Sequence, residues 1–562
     1  MSNQSAQSTQ TAIASPAPWW MIWSNPIFLR YCRSRLRPAT LAVFLLIVLI
    51  ITGFVYAAFS SFGESRANLS PEDAARVPII ALLVVQGLIL FLVGTAQVAG
   101  GMTAERDEGV VDYQKLAPMT PLSKVIGYLF GLPIREYVMF VSTLPFSIYC
   151  FWKSQVPLTV VLQLYGVFLT SAILYHITGL VAGTVIKNRR WAFLVSMGVI
   201  FMLYTVVPQV AKFGLVYFKY ITMYPTVEEL AAYLIPPDYG AVVETAQRLA
   251  PPARFFNLNF PQSVFTVLSQ GAFILTGIVM LWRRWNKNES HLLGKLGALG
   301  AFVWIQSVFL GNALPLIEPG HIFPSREFNR RFGMSFEDRF RWEPDSDEAT
   351  IMVSVYGFVT LVLIWLLTLM ITPGKETQIR GWRRRLKLGK TNLNPLSDPA
   401  TAFPWTFLMV VVGTGCWFVF TEAIMNSHWF NEEVTPWLVI LSFGLVLFNG
   451  AFLFQALCEG WGRKVLGLAV IIVGVVPFMV GAVLAITDNS FITLASWIAG
   501  SSPLSGALYA PQVALPLADL PLSLVRALPR AFWFWQGVML LASIYFLIKL
   551  WAARRAVANN CR

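Results

Sequence analysis

Ala39-Thr-Leu-Ala-Val-Phe-Leu-Leu-Ile-Val-Leu-Ile-Ile-Thr-Gly-Phe-Val-Tyr-Ala-Ala-Phe59 contains no charged side chain. A helix needs about 20 mostly apolar residues to cross the hydrocarbon core of a bilayer, and this stretch supplies them in one block. Arg30, Arg33, Arg35 and Arg37 precede it, a basic flank of the kind that stays on the cytoplasmic side. Working outward, eleven more stretches read the same way: 77–100, 126–152, 158–185, 191–210, 263–282, 296–316, 350–372, 405–425, 437–457, 465–486 and 531–548. Weaker segments near 221–250 and 489–511 are interrupted by Pro, Gly and polar residues and read as re-entrant or interfacial helices. The expected fold is an all-α polytopic integral membrane protein with about 12 transmembrane helices.

Composition points the same way. Of 562 residues, 56% are hydrophobic and 13% are charged, against about 25% charged in soluble domains. An ordinary soluble enzyme is excluded, and so is a disordered chain, which needs low hydrophobicity. A transmembrane barrel would show short alternating segments, whereas these runs are continuous. Lys and Arg (42) outnumber Asp and Glu (29), but the excess has a topological explanation and requires no nucleic acid. With the N-terminus inside, the basic residues collect on cytoplasmic segments, such as Lys187, Arg189 and Arg190 after the fourth span and Arg383, Arg384 and Arg385 after the eighth. Both termini then fall in the cytoplasm. Residues 1–18 read as a disordered tail, with no cleavable signal before the first span. Cys32, Cys150, Cys416, Cys458 and Cys561 form no CxxC pair, and His176, His291, His321 and His428 are isolated. Neither a metal site nor a catalytic constellation is expected, so the chain does not read as an enzyme.

The loop order suggests a duplication. A long external loop, a long internal loop, two short links and a long external stretch follow one another in the first half, and the order recurs in the second. The expected organisation is an interfacial elbow at 19–38, a first six-span unit at 39–285 and a second, diverged unit at 286–562. The external loop 317–349 belongs to the second unit and carries mixed charge, including Arg326, Arg330, Arg331, Arg339, Arg341, Glu327, Glu337, Asp338 and Asp345. An even number of spans per unit keeps the two in the same orientation.

Three local patterns stand out. The elbow Asn25-Pro-Ile-Phe-Leu-Arg-Tyr-Cys-Arg-Ser-Arg-Leu-Arg37 mixes arginines with apolar residues and follows Trp19, Trp20 and Trp23, as a helix along the inner interface would. The internal loop Ala104-Glu-Arg-Asp-Glu-Gly-Val-Val-Asp-Tyr-Gln-Lys-Leu-Ala-Pro118-Met-Thr-Pro121-Leu-Ser-Lys-Val-Ile-Gly127 is mixed in charge. Gly109 permits a turn there, Glu105, Arg106, Glu108 and Asp112 offer a charged surface, and Thr120-Pro121 starts the next helix. Within spans, Arg135 and Glu136 form a charged pair expected to face a bundle interior, either as internal neutralisation or as a gating element. Gly179 and Gly183 share one helix face and invite close packing; Gly294, Gly297 and Gly300 repeat this less regularly.

The elbow and the Glu-Arg-x-x-Gly-x-x-Asp run, followed by Pro-Leu-Ser and Gly, resemble the permease subunits of type 2 ATP-binding-cassette exporters. The matching residues are Glu105, Arg106, Gly109, Asp112, Pro121, Leu122, Ser123 and Gly127. The chain departs from the family's pattern at Asp107, Val110, Asp112 and Tyr128, where the family carries Glu, Thr, Glu and Lys. The resemblance implies an exporter permease in a prokaryotic plasma membrane whose 105–121 region contacts a cytoplasmic ATPase subunit. ATP would act through that partner, and the chain itself would bind no cofactor. The second internal loop, 374–391, lacks the motif. Its Gly389-Lys-Thr391 ending has Arg384 where a phosphate loop needs glycine. One chain could supply both halves of a pore or form a dimer. An ion-coupled carrier and a non-transporting membrane scaffold are the readings from other classes.

Overall fold

A computed structural model describes residues 20–65, 69–236, 252–287, 290–325, 343–389, 393–460, 463–487, 491–515 and 522–561. The 1–18 tail and residues 326–342 of the external loop lie outside the described residues. Among the described ones, eleven helices are long and apolar enough to cross a membrane, and a twelfth span forms if one bent pair is counted as a single crossing. All twelve expected stretches are found within these helices.

The chain divides into two compact units. One comprises the residues up to Pro157 with Leu169–Ile200 and Gly277–Asn286; the other takes Leu158–Phe168, Phe201–Thr276 and the residues from Lys287 onward. The first begins with α1 (Pro26–Arg35), whose first turn is capped by the Asn25 side chain accepting from the Ile27 and Phe28 amides. Next come α2 (Pro38–Glu64) and α3 (Pro71–Asp107). Only 11% of the apolar window of α2 is buried, so nearly all of this helix is left for lipid. A short helix, α4 (Val110–Leu116), links α3 to α5 (Pro121–Gly131) and α6 (Ile134–Lys153). The stretch read as one span at 126–152 is this α5–α6 pair, bent by 50°. Pro133 stands in the break, where its ring and missing N–H interrupt the helical ladder. Then follow α7 (Leu158–Val185), α8 (Arg189–Lys212) and α9 (Gln262–Asn286), each shared between the units.

Two features of α3 shape this unit. Leu88–Gly94 winds as a π-helix, and the Leu90 carbonyl there meets His176 Nε2 at 3.0 Å. Further along, α7 packs directly on the α3 backbone. A Cβ at Gly179 would lie 2.9 Å from the Thr95 carbonyl oxygen, and one at Gly183 2.7 Å from that of Ala99. The glycine spacing therefore marks a close helix approach. The run at Gly294–Gly300 does not: a Cβ at Gly300 would meet nothing within 4 Å.

The second unit adds a small hairpin that the sequence reading does not anticipate, β1 (Ala253–Phe255) pairing antiparallel with β2 (Leu258–Phe260). The Phe256 amide donates to the Gly311 carbonyl and Arg254 to that of Pro315, both in α10 (Lys295–Ile317). After α10 come α11 (Ser346–Ile371), α12 (Lys375–Lys387), α13 (Phe403–Met425) and α14 (Pro436–Gly460). The remaining helices are α15 (Leu466–Thr487), α16 (Ile492–Gly500), α17 (Pro503–Ala514) and α18 (Leu522–Cys561). In contrast to α2, 61% of the α11 window is buried, so α11 is a core helix of this unit. Trp365 of α11 donates to the Gly450 carbonyl of α14, and Trp417 of α13 to that of Val353 in α11. The 489–511 segment forms the paired short helices α16 and α17. Their junction residue Ser502 donates to the Gly474 carbonyl within a second π-helical stretch, Val470–Val475.

Candidate functional site

The internal loop between α3 and α5 is built on two anchors. Glu105, at the end of α3, accepts hydrogen bonds from Arg30 Nη2 at 2.6 Å, the Tyr31 hydroxyl at 2.7 Å and the Tyr128 hydroxyl at 3.2 Å. Its side chain is 15% exposed. Burial and the adjacent Glu105 carboxylate push the Tyr31 hydroxyl well above its ordinary pKa, so it stays a neutral donor. Burial alone would lower the pKa of Arg30, but the hydrogen bond to Glu105 raises it instead. Arg106 turns the other way and donates to the Gly183 carbonyl at 3.1 Å and the Ile186 carbonyl at 2.6 Å. A cation there satisfies the open carbonyls at the C-terminus of α7.

Beyond the anchors the chain reverses at Gly109, whose φ of +75° lies in the left-handed region and whose absent Cβ faces open space. Only glycine takes this turn without strain. It sends the chain into α4, where Val111 is buried while Tyr113 and Leu116 are 80% and 83% exposed. Glu108 and Asp112 are exposed beside them, Asp112 paired with Lys115 at 2.7 Å. Pro121 opens α5, with Thr120 capping the Ser123 amide. Buried Lys124 donates to the Lys115 and Ala117 carbonyls, fastening the end of α4 to α5.

The elbow α1 completes the footing. Asn25 donates to the Ser123 carbonyl at 2.7 Å. Gly127 and Gly131 give α1 room, since a Cβ at Gly127 would lie 2.6 Å from Asn25 Oδ1 and one at Gly131 2.8 Å from the Tyr31 ring. Tyr128 stacks on Trp285 at the end of α9, with centroids 5.6 Å apart. The structure thus gathers Glu105, Arg106, Glu108, Gly109, Asp112 and Pro121 in one protrusion with two roles. Glu105 and Arg106 face inward as anchors, while Glu108 and Asp112 face outward. Tyr113, Leu116, Tyr31 and Lys124 are contributors that the sequence reading misses. Val111 and the Tyr113/Leu116 pair lie on different faces of one short helix, and that was the available signal for an uncovered apolar face.

The charged pair Arg135–Glu136 lies just past the Pro133 break, near enough to the elbow for Glu136 to interact electrostatically with Arg35. Arg135 Nη2 meets Glu136 Oε1 at 2.7 Å, and the guanidinium sits 4.1 Å from the centroid of the Phe44 ring in α2. Glu136 is fully buried, and its Oε2 has no hydrogen-bond partner among the described residues. No group of three His, Cys, Asp or Glu that could hold a metal ion occurs among the described residues.

The second internal loop is arranged differently. Gln378 of α12 donates to Glu459 Oε1 at 2.9 Å, at the end of α14, and Arg554 of α18 donates to the same oxygen at 2.5 Å. Lys295, at the start of α10, is buried and donates to the Pro395, Ser397 and Ala400 carbonyls at 3.2, 2.6 and 2.9 Å.

Fold and site together define an all-α, multi-pass membrane protein with an anchored polar protrusion at the ends of its spans. No family model matches the chain, and no curated protein or solved structure matches it either.

Proposed function

We propose that the chain is the membrane permease of an ATP-driven exporter, with the ATPase on a separate polypeptide that docks on α4. The observation that carries this reading is the contrast within the protrusion. A base fixed by Glu105 and Arg106 presents Tyr113 and Leu116 almost fully exposed, with exposed Glu108 and Asp112 in the same segment. Exposed apolar side chains rimmed by charge are the composition of an interaction surface. Force applied to such a tip passes through Arg106 to the end of α7 and through Glu105 to α1, without chemistry in this chain.

A two-unit repeat is part of the same reading, and recurring links support it. Asn25, ahead of the first span, holds the backbone entering α5, while Lys295, opening α10, holds the backbone entering α13. The first loop grips the end of α7 through Arg106 and the second grips the end of α14 through Gln378. Contacts of α3 with His176 and of α11 with Gly450 likewise join the second and fourth spans of each unit. In this reading both termini and the protrusion lie in the cytoplasm, which the basic flanks support, and the membrane is a prokaryotic plasma membrane.

Affinity purification of the tagged full chain tests the proposal. A nucleotide-hydrolysing polypeptide should co-purify in fixed ratio and be lost from Tyr113→Ser/Leu116→Ser, while the variant keeps its thermal stability. A well-folded wild-type chain with no such partner overturns it.

A further inference from the structure

We infer that α12 is a binding surface for anionic phospholipid headgroups, a role separate from the α4 protrusion. Its position comes first. It begins directly after α11 ends at Ile371, and Gln378 ties it to the Pro373 carbonyl and to Glu459 at the end of α14. Gly381 presses against Pro399, just ahead of α13, with no room for a Cβ. The helix is therefore pinned at the ends of three spans, the level at which headgroups lie.

Its faces come second. Gln378 is buried, while Ile379, Trp382 and Leu386 are half-buried along one flank. Arg380, Arg383, Arg384 and Lys387 project from the exposed face. Glu376 is the acidic residue of this helix, and it sits 3.7 Å from Arg380 with both side chains mostly exposed. Arg383, Arg384 and Lys387 form no ion pair among the described residues. An apolar flank carrying Trp beside a basic face is the composition of an interfacial helix. Each Lys or Arg near an anionic surface adds electrostatic attraction. Charge separates this surface from the first loop: that loop offers Glu108, ahead of the Gly109 turn, and Asp112 of α4, so one partner surface cannot complement both.

The test uses the purified full chain in detergent, with added phosphatidylglycerol or phosphatidylcholine and Tm as the readout. Wild type should gain a clear Tm increase with phosphatidylglycerol over phosphatidylcholine, and the difference should shrink at high salt as screening shortens the electrostatic range. In Arg383→Gln/Arg384→Gln/Lys387→Gln the two lipids should act alike. Lys153→Gln/Lys212→Gln/Lys219→Gln, which removes equal charge elsewhere, should keep the preference. The inference is overturned if wild type shows no preference, if the α12 variant keeps it, or if the control variant loses it equally. It is also overturned if the α12 variant instead sheds an acidic soluble protein while keeping its lipid response.

Discussion

Glu105 would pass on sequence grounds for a surface carboxylate in a charged loop, yet it accepts three side-chain hydrogen bonds from two helices. Glu105→Ala leaves the Tyr31 hydroxyl without its acceptor, whereas the Tyr128 hydroxyl keeps Gln114 Oε1 at 2.6 Å. Leaving buried donors unsatisfied costs about 1–3 kcal/mol, so Tm should fall, whereas Glu108→Ala at the exposed tip should leave it unchanged. Tyr31 also gives the fold an alkaline limit. Its folded pKa is raised above the ordinary 10.0. Its contribution is therefore complete below about pH 10 and is lost as pH climbs beyond that toward the folded value. Tyr31→Phe should flatten the decline of Tm above pH 10. Glu105 and Arg106 stand out in the sequence as a charged pair in an internal loop, but the opposite contacts of its two members do not. Adjacent helical residues point about 100° apart, and only the placement of α1 and α7 decides what each one meets.

At the scale of elements, α7 carries a contrast within one helix. A Cβ at Gly183 would collide with the Ala99 carbonyl and Met102 of α3, while one at Gly166 meets nothing within 4 Å. Gly183→Ala should destabilise by about 1–3 kcal/mol through overpacking. Gly166→Ala should be neutral or stabilise by up to about 1 kcal/mol, because glycine is a poor helix former. Thermal unfolding in detergent reads both. The apolar runs made the spans legible because lipid imposes length and apolarity on any crossing helix. The hairpin at 253–260 was not, because three-residue strands are too short to show alternation and their partner carbonyls lie far away on α10. The break at Pro133 was written in the proline, but the stretch stays mostly apolar on both sides, Arg135 and Glu136 apart, and so reads as one span.

For the whole molecule, the proposed orientation makes a plain prediction. A reporter that is active only in the cytoplasm should work when fused after Arg562 and fail when inserted in the 317–349 loop. The reverse pattern would overturn the assignment of sides. Exposure to lipid should also be uneven. With 11% of its apolar window buried, α2 should be labelled heavily by a lipid-soluble carbene probe, and α11, at 61%, hardly at all.

The π-helical stretch in α3 has a further consequence. A π turn holds one residue more than an α turn, which makes it a phase offset along the rod. Residues before Leu88 keep one angular frame, and those after Gly94 follow in a frame turned by about 100°. Glu105 and Arg106 belong to the second frame. Because the π turn takes up one extra residue, deleting one residue between 88 and 94 would restore a plain α-helix and leave Glu105 facing Arg30 and Arg106 facing Gly183. Deleting one residue from the α-helical part between 96 and 104 would instead turn both by about 100° and release the grip on α1 and α7.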